Sequence, residues 1–579
     1  MKFHDLRKNL RKNTDGMRKV KMAVVADWSV QMLCQAIRGF AYTKGLNVQI
    51  YEGSYDQMES ELLDSASSLY AFEPDYILVF PCAEKLQERF HGTPNDLRPT
   101  LAQREADRIQ LLCESAGANS SAKIILSNYC EIYDGIYGNH AALMQASFAS
   151  VQREINQKVC ETAAGSSRIF LLDVSSLQGI YGRRAMHDSR LYYASKTVFA
   201  IDFLPVLAEQ IIKIVNVISG SVKKCIITDL DNTLWGGVIG DDGMDGIQIG
   251  SFGLGMVYSD LQAWIKEHAN RGVAVAVCSK NNEDTAKEPF EKHPDMVLRL
   301  EDISVFVANW DDKATNIKRI QQILNIGFDS MVFLDDNPFE RELVRTMLPD
   351  VTVPELPEDP AEYLPYLQQL ALFETVYVSA EDKKRTQLYR QEAERLQLEQ
   401  KVSSIDAYLE SLQLVAATRP FDSYSIPRAA QLSQRSNQFN LRTKRYTEQD
   451  MAFFAQHPEK FVTFTVSLKD KFGEYGIICV VILEKRDDKT LFLDTLFMSC
   501  RVLKRSVEEY VFNKMVALAT EQGFETILGE YLPTKKNAMV KDLLGKYGFV
   551  ECASDENGTT WKLDVARYTQ NKTFVEDEV

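Results

Sequence analysis

The chain has no CxxC pair, no excess of basic residues, no internal repeat, and no apolar run near the ~18 residues a membrane-spanning helix needs. Each absence removes a class. The ten cysteines (34, 82, 113, 130, 160, 225, 278, 479, 500 and 552) are spread over 579 residues without a tight framework, so they read as reduced thiols of a cytosol. Lys and Arg number 66 against 81 Asp and Glu, a net charge of −15, which excludes the basic footprint of a general nucleic-acid binder. The N-terminal segment is basic through Lys2, Arg7, Lys8, Arg11, Lys12, Arg18, Lys19 and Lys21. It lacks the apolar stretch of a secretory signal, and Met22–Ala26 reads as a first strand. The expectation is a cytoplasmic protein without nucleic-acid or membrane partners.

What is present is ordinary globular composition, 45% apolar and 25% charged. At roughly 150 residues per domain the length suggests about three or four domains. Strand candidates Met22–Ala26, Val48–Tyr51, Tyr76–Phe80, Ile124–Ser127 and Ile169–Asp173 alternate with helix candidates Met32–Gly45, Gln57–Ala71, Leu97–Glu114 and Phe148–Ala164. That alternation predicts an α/β fold with a parallel sheet covered on both faces. A second α/β unit begins near Lys223, with strands Cys225–Asp229, Val273–Cys278, Val305–Ala308 and Met331–Leu334. The prolines at 354, 357, 360 and 365 mark a boundary, followed by a charged helix, Ala380–Lys401. An α+β module follows, with strands near Val462–Val466, Gly476–Glu484, Leu491–Met498 and Thr526–Glu530, and helices Val507–Gln522 and Ala538–Tyr547. The expected division is 1–220, 221–375, a linker helix over 376–410, and 411–579.

Chemistry concentrates in Cys225-Ile-Ile-Thr-Asp-Leu-Asp-Asn-Thr-Leu-Trp235. An apolar strand ends in Asp229-x-Asp231-x-Thr233, which puts two carboxylates at the carboxyl end of a parallel strand, where open α/β sheets place ligands. Asp229 can attack phosphorus, and Asp231 can protonate a leaving group or activate water. A Mg²⁺ ion would have to screen these carboxylates from a phosphate. Ser279 follows the strand Val273–Cys278 and can donate to a phosphoryl oxygen, Lys313 can neutralise its charge, and Asp335 and Asp336 can hold the metal. The assignment is Asp229 and Asp231 as catalytic carboxylates, and Thr233, Ser279 and Lys313 on the phosphoryl group. Asp229, Asp335, Asp336 and the Asp231 backbone carbonyl would ligate Mg²⁺. Asp229 to Ser279 spans 50 positions and Ser279 to Lys313 spans 34, too few for a separate cap domain, so an open site is expected. The stretch Gly236–Gly255 reads as a mobile flap or a hairpin.

Four such segments in order resemble the motifs of the haloacid dehalogenase (HAD) superfamily. Asp229-Leu-Asp-Asn-Thr-Leu-Trp-Gly-Gly-Val-Ile-Gly-Asp-Asp-Gly243, Cys278-Ser-Lys-Asn-Asn282 and Phe333-Leu-Asp-Asp-Asn-Pro338 are similar to its FkbH-like subgroup. Tyr193-Ala-Ser-Lys196, Gln438-Phe-Asn-Leu441, Asp470-Lys-Phe-Gly-Glu-Tyr-Gly476 and Ser499-Cys-Arg-Val502 extend that similarity over most of the chain. The resemblance implies an N-terminal SGNH-hydrolase-like domain of flavodoxin type, a Rossmann-like HAD core and a C-terminal GNAT-like acyltransferase fold. It further implies a glyceryl transferase and phosphatase, which takes a three-carbon unit from 1,3-bisphosphoglycerate, removes phosphate and loads an acyl carrier protein. A plain phosphatase of a small metabolite and a non-catalytic assembly protein are the alternatives, and the intact Asp229 and Asp231 count against the second.

The flanking domains depart from their families. Where an SGNH hydrolase carries Gly-Asp-Ser, this chain reads Ala26-Asp27-Trp28-Ser29, and His187-Asp188 stands in reversed order, so this domain reads as a non-catalytic scaffold. In Arg501-Val-Leu-Lys-Arg-Ser506, Lys504 and Ser506 occupy positions that a GNAT pyrophosphate loop keeps small, which opposes coenzyme A. Lys504 and Arg505 can instead attract the phosphate of a phosphopantetheine arm. Acyl transfer calls for a thiolate. Cys278, beside Ser279, is the preferred candidate over Cys500.

Overall fold

The computed structural model describes residues 1–376, 391, 395, 404–436, 438–534, 536–555 and 558–578. Among these, 17 strands build three sheets, in two compact units, Met1–Ile218 and Ser219–Val579. No helix among the described residues is long and apolar enough to cross a membrane. Nine cysteines are described, all as free thiols.

The first unit is a parallel sheet of β1 (Arg18–Ala26), β2 (Leu46–Glu52), β3 (Tyr76–Phe80), β4 (Lys123–Ser127) and β5 (Ile169–Leu172), in the order β2-β1-β3-β4-β5. The expected helix Gln57–Ala71 is two helices, Met58–Leu63 and Ser68–Ala71. Asp64 leaves helical backbone at ψ 110°, and Ser67 restarts the chain by capping Leu69 N.

The second unit begins with β6 (Cys225–Thr228), β7 (Ala274–Ser279), β8 (Val305–Ala308) and β9 (Met331–Leu334), all parallel in the order β8-β7-β6-β9. These strands are apolar throughout because both faces are covered. Their side chains divide with the two-residue period of a strand. Ile226, Val275, Val277, Val332 and Leu334 face one core with helix α1 (Gly253–Asn270). Cys225, Ile227, Ala276, Cys278 and Phe333 face the other, with Ala314, Ile317 and Ile320 of helix α3 (Lys313–Leu324). Helix α2 (Glu283–Lys292) lies between β7 and β8 in sequence, and α4 (Pro338–Met347) follows β9. Every strand therefore delivers its next loop to the same sheet edge.

The rest of this unit is a mixed sheet of β10 (Leu414–Arg419), β11 (Phe461–Asp470), β12 (Gly473–Lys485), β13 (Thr490–Met498), β14 (Thr526–Tyr531), β15 (Val550–Ser554), β16 (Thr559–Asp564) and β17 (Val575–Asp577). Its order is β15-β16-β14-β13-β12-β11-β10-β17, with parallel pairing at β13–β14 and β10–β17. The helix expected over Ala538–Tyr547 is instead a 3₁₀ turn, Ala538–Val540, and a single turn, Leu543–Lys546. The helix expected over Ala380–Lys401 lies outside the described residues except Gln391 and Arg395. Arg395 is buried and holds Asp470 through two bonds of 2.6 and 2.8 Å.

Ile227 sits at the centre of β6 with no solvent exposure, against α3. Ile227→Ala is expected to destabilise this unit by about 2–5 kcal/mol, read from urea unfolding. A loss below about 0.5 kcal/mol would show that this face is not the packed core described.

Candidate active site

The chain leaves β6 in a tight turn that fixes three side chains at once. Asp229 N donates to Leu334 O at 2.9 Å, so Asp229 stays tied to β9 after the strand ends. Asn232 then takes left-handed backbone at φ 55°, a conformation that Asn tolerates better than most residues. Its Oδ1 accepts from Gly237 N at 2.9 Å, and Thr233 N and Leu234 N return to Leu230 O. Asp229 and Asp231 thereby emerge on the sheet edge that also receives Ser279, Lys313, Asp335 and Asp336.

Carboxylate oxygens of Asp229, Asp335 and Asp336 all lie within 4.8 Å of one another. Between two of them lies Lys313, 1% exposed, with Nζ 2.7 Å from Asp229 Oδ1 and 3.3 Å from Asp335 Oδ2. The same ammonium donates to Cys278 O at 2.7 Å. Burial alone would push its pKa down, but the Asp229 and Asp335 charges outweigh burial and hold it above the ordinary lysine range. Asp335 is fully buried, and burial, followed by the Asp229 charge, pushes its carboxyl up to about 7. Asp336 is raised for the same two reasons in the same order. Asp335 Oδ1 accepts from Asn337 N at 2.9 Å, and Arg341 Nη1 donates to the Asp335 and Asp336 carbonyls at 2.9 and 2.6 Å. These bonds aim the loop's acids inward. Three carboxylates thus face one ammonium, and buried Asp229 Oδ1 and Asp335 Oδ2 have no hydrogen bond beyond their ion pairing to Lys313. An all-oxygen, electron-rich nest of this kind fits a hard divalent cation.

Asp231 does not join that cluster with its side chain. Its Oδ1 accepts from Trp235 Nε1 at 2.9 Å and Ile239 N at 3.0 Å, and its Oδ2 from Asn281 Nδ2 at 3.2 Å. Burial raises its pKa, which favours a carboxyl able to carry a proton. The stretch Gly236–Gly255 is not a hairpin but a loop with one helical turn, Ile239–Asp242. It is pinned by Ile239 N on Asp231, by the single Gly236–Gln248 bridge, and by Asp242 Oδ2 accepting from Val238 N at 2.7 Å. Ser279 is buried, and its hydroxyl has no hydrogen-bond partner among the described residues. The intervals after Asp229 and after Ser279 hold that loop with α1, and α2 with β8, respectively.

Four expectations need correction. Thr233 Oγ1 donates to Asp336 Oδ1 at 3.3 Å and accepts from Asp336 N at 3.1 Å, so it orders the acidic loop and is not left for a phosphoryl group. Cys278 packs in the core under α3 with Sγ 3.9 Å from Lys313 O, and burial pushes its thiol up to about 12, which disfavours a thiolate and suits a core filler. Arg505 is buried, donates to the Tyr475 hydroxyl, and stacks on that ring at 5.4 Å; it offers no free cation to a phosphopantetheine arm. In place of a hairpin stands the loop described above. Cys500 opens the turn Cys500–Val502, and its side chain lies outside the described residues. Lys504 and Ser506 adopt left-handed backbone at φ 64° and 55°, and Lys504 N donates to Glu508 Oε1 at 3.1 Å. In the first unit, Ser29 Oγ donates to Gln31 Oε1 and His187 Nδ1 meets Val198 O at 2.8 Å, so these two do not pair. Asn281, Trp235 and Arg341 were not assigned from sequence. Asn281 lies two residues after Ser279 and Trp235 four after Asp231, a spacing that could have drawn attention to both.

Residues 21–216 match the family model "FkbH, N-terminal domain". The N-terminal part of protein BF1531 from Bacteroides fragilis, which contains a phosphatase domain and was crystallised with Mg, is 44% identical to this chain. It superposes with a TM-score of 0.63, covering 65% of this chain and 100% of its own. The ribosomal-protein-S18-alanine N-acetyltransferase of Escherichia coli matches at 14% identity and TM-score 0.21, over 27% of this chain and 99% of its own. Ard1 of Thermoplasma volcanium matches at 17% identity and TM-score 0.21, over 26% of this chain and 97% of its own. No curated protein matches the chain.

Removing the ammonium strands two buried carboxylates. Lys313→Met is expected to cost about 3–5 kcal/mol of stability in urea unfolding without added divalent cation. Asp335→Asn on that background should recover part of the loss; further destabilisation would contradict the electrostatic account.

Proposed function

The chain belongs to the FkbH-like family of the HAD superfamily, and from that membership we propose that it is a Mg²⁺-dependent phosphotransfer enzyme that dephosphorylates a phosphoglyceryl-type substrate and loads the acyl unit onto an acyl carrier protein. The observation that carries the phosphatase part is the nest of Asp229, Asp335 and Asp336 around Lys313, with Asp231 held beside it. Asp229, Asp335, Asp336 and the Asp231 backbone carbonyl would hold Mg²⁺. Once bound, the ion supplies the positive charge that lets an anionic nucleophile meet a phosphate.

Within that setting the Asp229 carboxylate attacks phosphorus, and the bond to the leaving oxygen breaks as Asp231 delivers a proton to it. Asp231 then removes a proton from the water that cleaves the aspartyl phosphate. In this reading the Ser279 hydroxyl and the Lys313 ammonium hold the phosphoryl oxygens through both steps.

Loading of a carrier is supported by the family and by the absence of a cap among the described residues, which leaves room for a substrate tethered to a protein. The acceptor sulfur in this proposal is the phosphopantetheine thiol of the carrier, because the cysteine nearest the site is packed in the core; the thiolate bonds to the acyl carbon as the C1 phosphate leaves with its electron pair, while Asp229 takes the phosphoryl group of the C3 ester. A simple phosphatase of a small metabolite is the second reading, favoured by the buried state of Cys278. Incubation with 1,3-bisphosphoglycerate, Mg²⁺ and a phosphopantetheinylated carrier separates the two by intact mass. A glyceryl adduct on the carrier is expected; phosphate release with no adduct would leave the second reading.

Asp229→Asn is expected to abolish phosphate release while leaving the fold intact, because the amide is nearly isosteric yet neither attacks phosphorus nor offsets a cation. Substantial turnover by this variant in a phosphate-release assay would contradict the aspartyl-phosphate route. Cys278→Ala should retain phosphate release and carrier loading, with a stability loss of about 1 kcal/mol from the lost packing. Loss of the adduct alone in Cys278→Ala would return the thiol to the mechanism.

A further inference from the structure

Two lysines cross the end of β6, and one of them, Lys313, belongs to the nest. It joins the β7 end, through Cys278 O, to Asp335 after β9, and holds Asp229 on the way. Lys280, just past β7, joins that same strand end to Glu340 in the first turn of α4, with Nζ 2.6 Å from Oε1. The sheet order β8-β7-β6-β9 puts β6 and its Asp229 between the anchor points of both pairs, which stand about 10 Å apart at the spacing of neighbouring strands. Exposure separates the two crossings in depth. The Lys313 side chain is 1% exposed and that of Lys280 is 37% exposed, so the Lys280 pair forms the outer of two layers over the strand end.

The other cations here are committed. Lys313 is engaged by Asp229, Asp335 and Cys278 O, and Arg341 by the Asp335 and Asp336 carbonyls and by Glu355. Lys280 Nζ has one partner among the described residues, Glu340. An ammonium carries three N–H donors, so two remain. Glu340 is buried, and a carboxylate with so little room to move fixes where the ammonium stands. Leaving Glu340 would strand a buried charge, so Lys280 works in place. We infer that Lys280 is a specificity-determining residue: its ammonium, positioned by Glu340, receives a second anionic group of the substrate while the transferred phosphoryl group meets Asp229 in the inner layer. This rests on the phosphatase reading above, in which Asp229 accepts the phosphoryl group. The substrate class is then a small phosphate monoester whose remainder carries a carboxylate or a further phosphate. An ester with a neutral remainder lacks that contact. Since the second group takes no part in the chemistry, its contact is equal in ground and transition states and belongs to KM more than to kcat.

The test compares the full-length protein with Mg²⁺ on 3-phosphoglycerate and on glycerol 3-phosphate. These esters share the phosphate and the carbon chain, and one carries a carboxylate where the other has a neutral hydroxymethyl group. The parent is expected to favour 3-phosphoglycerate. Lys280→Met should raise KM for 3-phosphoglycerate by about tenfold or more with kcat little changed, the weight of a hydrogen bond to a charged group. For glycerol 3-phosphate the change in KM should stay below about threefold, because no charged group is lost there. Lys280→Met/Glu340→Gln removes both charges, so no buried acid is left unpaired, and should show the same split. A split that vanishes in the double variant would make Lys280 only the counter-ion of Glu340 and overturn the inference. Equal losses on both esters, no loss on either, or a parent that does not distinguish them would overturn it too, and in each case the phosphatase reading stands. If the parent releases phosphate from neither ester, that reading itself fails and takes this inference with it.

Discussion

A buried ammonium held between two carboxylates organises this site. Lys313 opens α3, reaches across the sheet edge to Asp229 after β6 and Asp335 after β9, and hydrogen-bonds the backbone at the end of β7. One side chain thus binds three strand ends into a single arrangement. A charge this deep is tolerated only with partners at close range, and removing a partner costs more than the pair contributes. The ammonium cannot balance all the acids around it, however. Asp336 completes a group of three carboxylates, and burial first, then the Asp229 charge, raises the pKa of Asp335. The same imbalance that burdens the nest suits it to a divalent cation, so the stability cost and the fitness for metal have one origin.

Around this core, the supporting groups divide the two aspartates by role. Asp229 lies inside the electrostatic cluster, with Oδ1 2.7 Å from Lys313 Nζ. Asp231, two residues on, is turned by left-handed Asn232 into a separate pocket made by Trp235, Ile239 N and Asn281. Different surroundings therefore separate the proposed nucleophile from the proposed acid although both come from one short turn.

Much of this was readable from sequence, because parallel strands buried on both faces appear as apolar runs and each run here ends in a chemical group. The strands Tyr76–Phe80, Val305–Ala308 and Met331–Leu334 are legible to the residue, and Asp229, Lys313, Asp335 and Asp336, all named from sequence, meet in one cluster. What escaped depends on side-chain direction. Cys278 precedes Ser279, yet the alternation of a strand sends the two to different surroundings, and adjacency in sequence misled for that reason. Thr233 could be placed in the turn, but its bond to Asp336 spans 103 positions and leaves no local trace. The edge strand Val550–Ser554 is exposed along its whole length, so no alternation marks it. Arg505 reads as a surface cation, and only its contact with Tyr475, 30 residues away, shows otherwise.

The central claim is that Asp229 becomes phosphorylated during turnover. Rapid acid quench of the Mg²⁺-loaded protein with a phosphorylated substrate, followed by peptide mass spectrometry, tests it directly. The account predicts a phosphoryl group on the peptide containing Cys225–Trp235, assigned by fragmentation to Asp229. A phosphoryl group found instead on Asp231 or Ser279, or turnover with no covalent phosphoryl protein at any quench time, would contradict it.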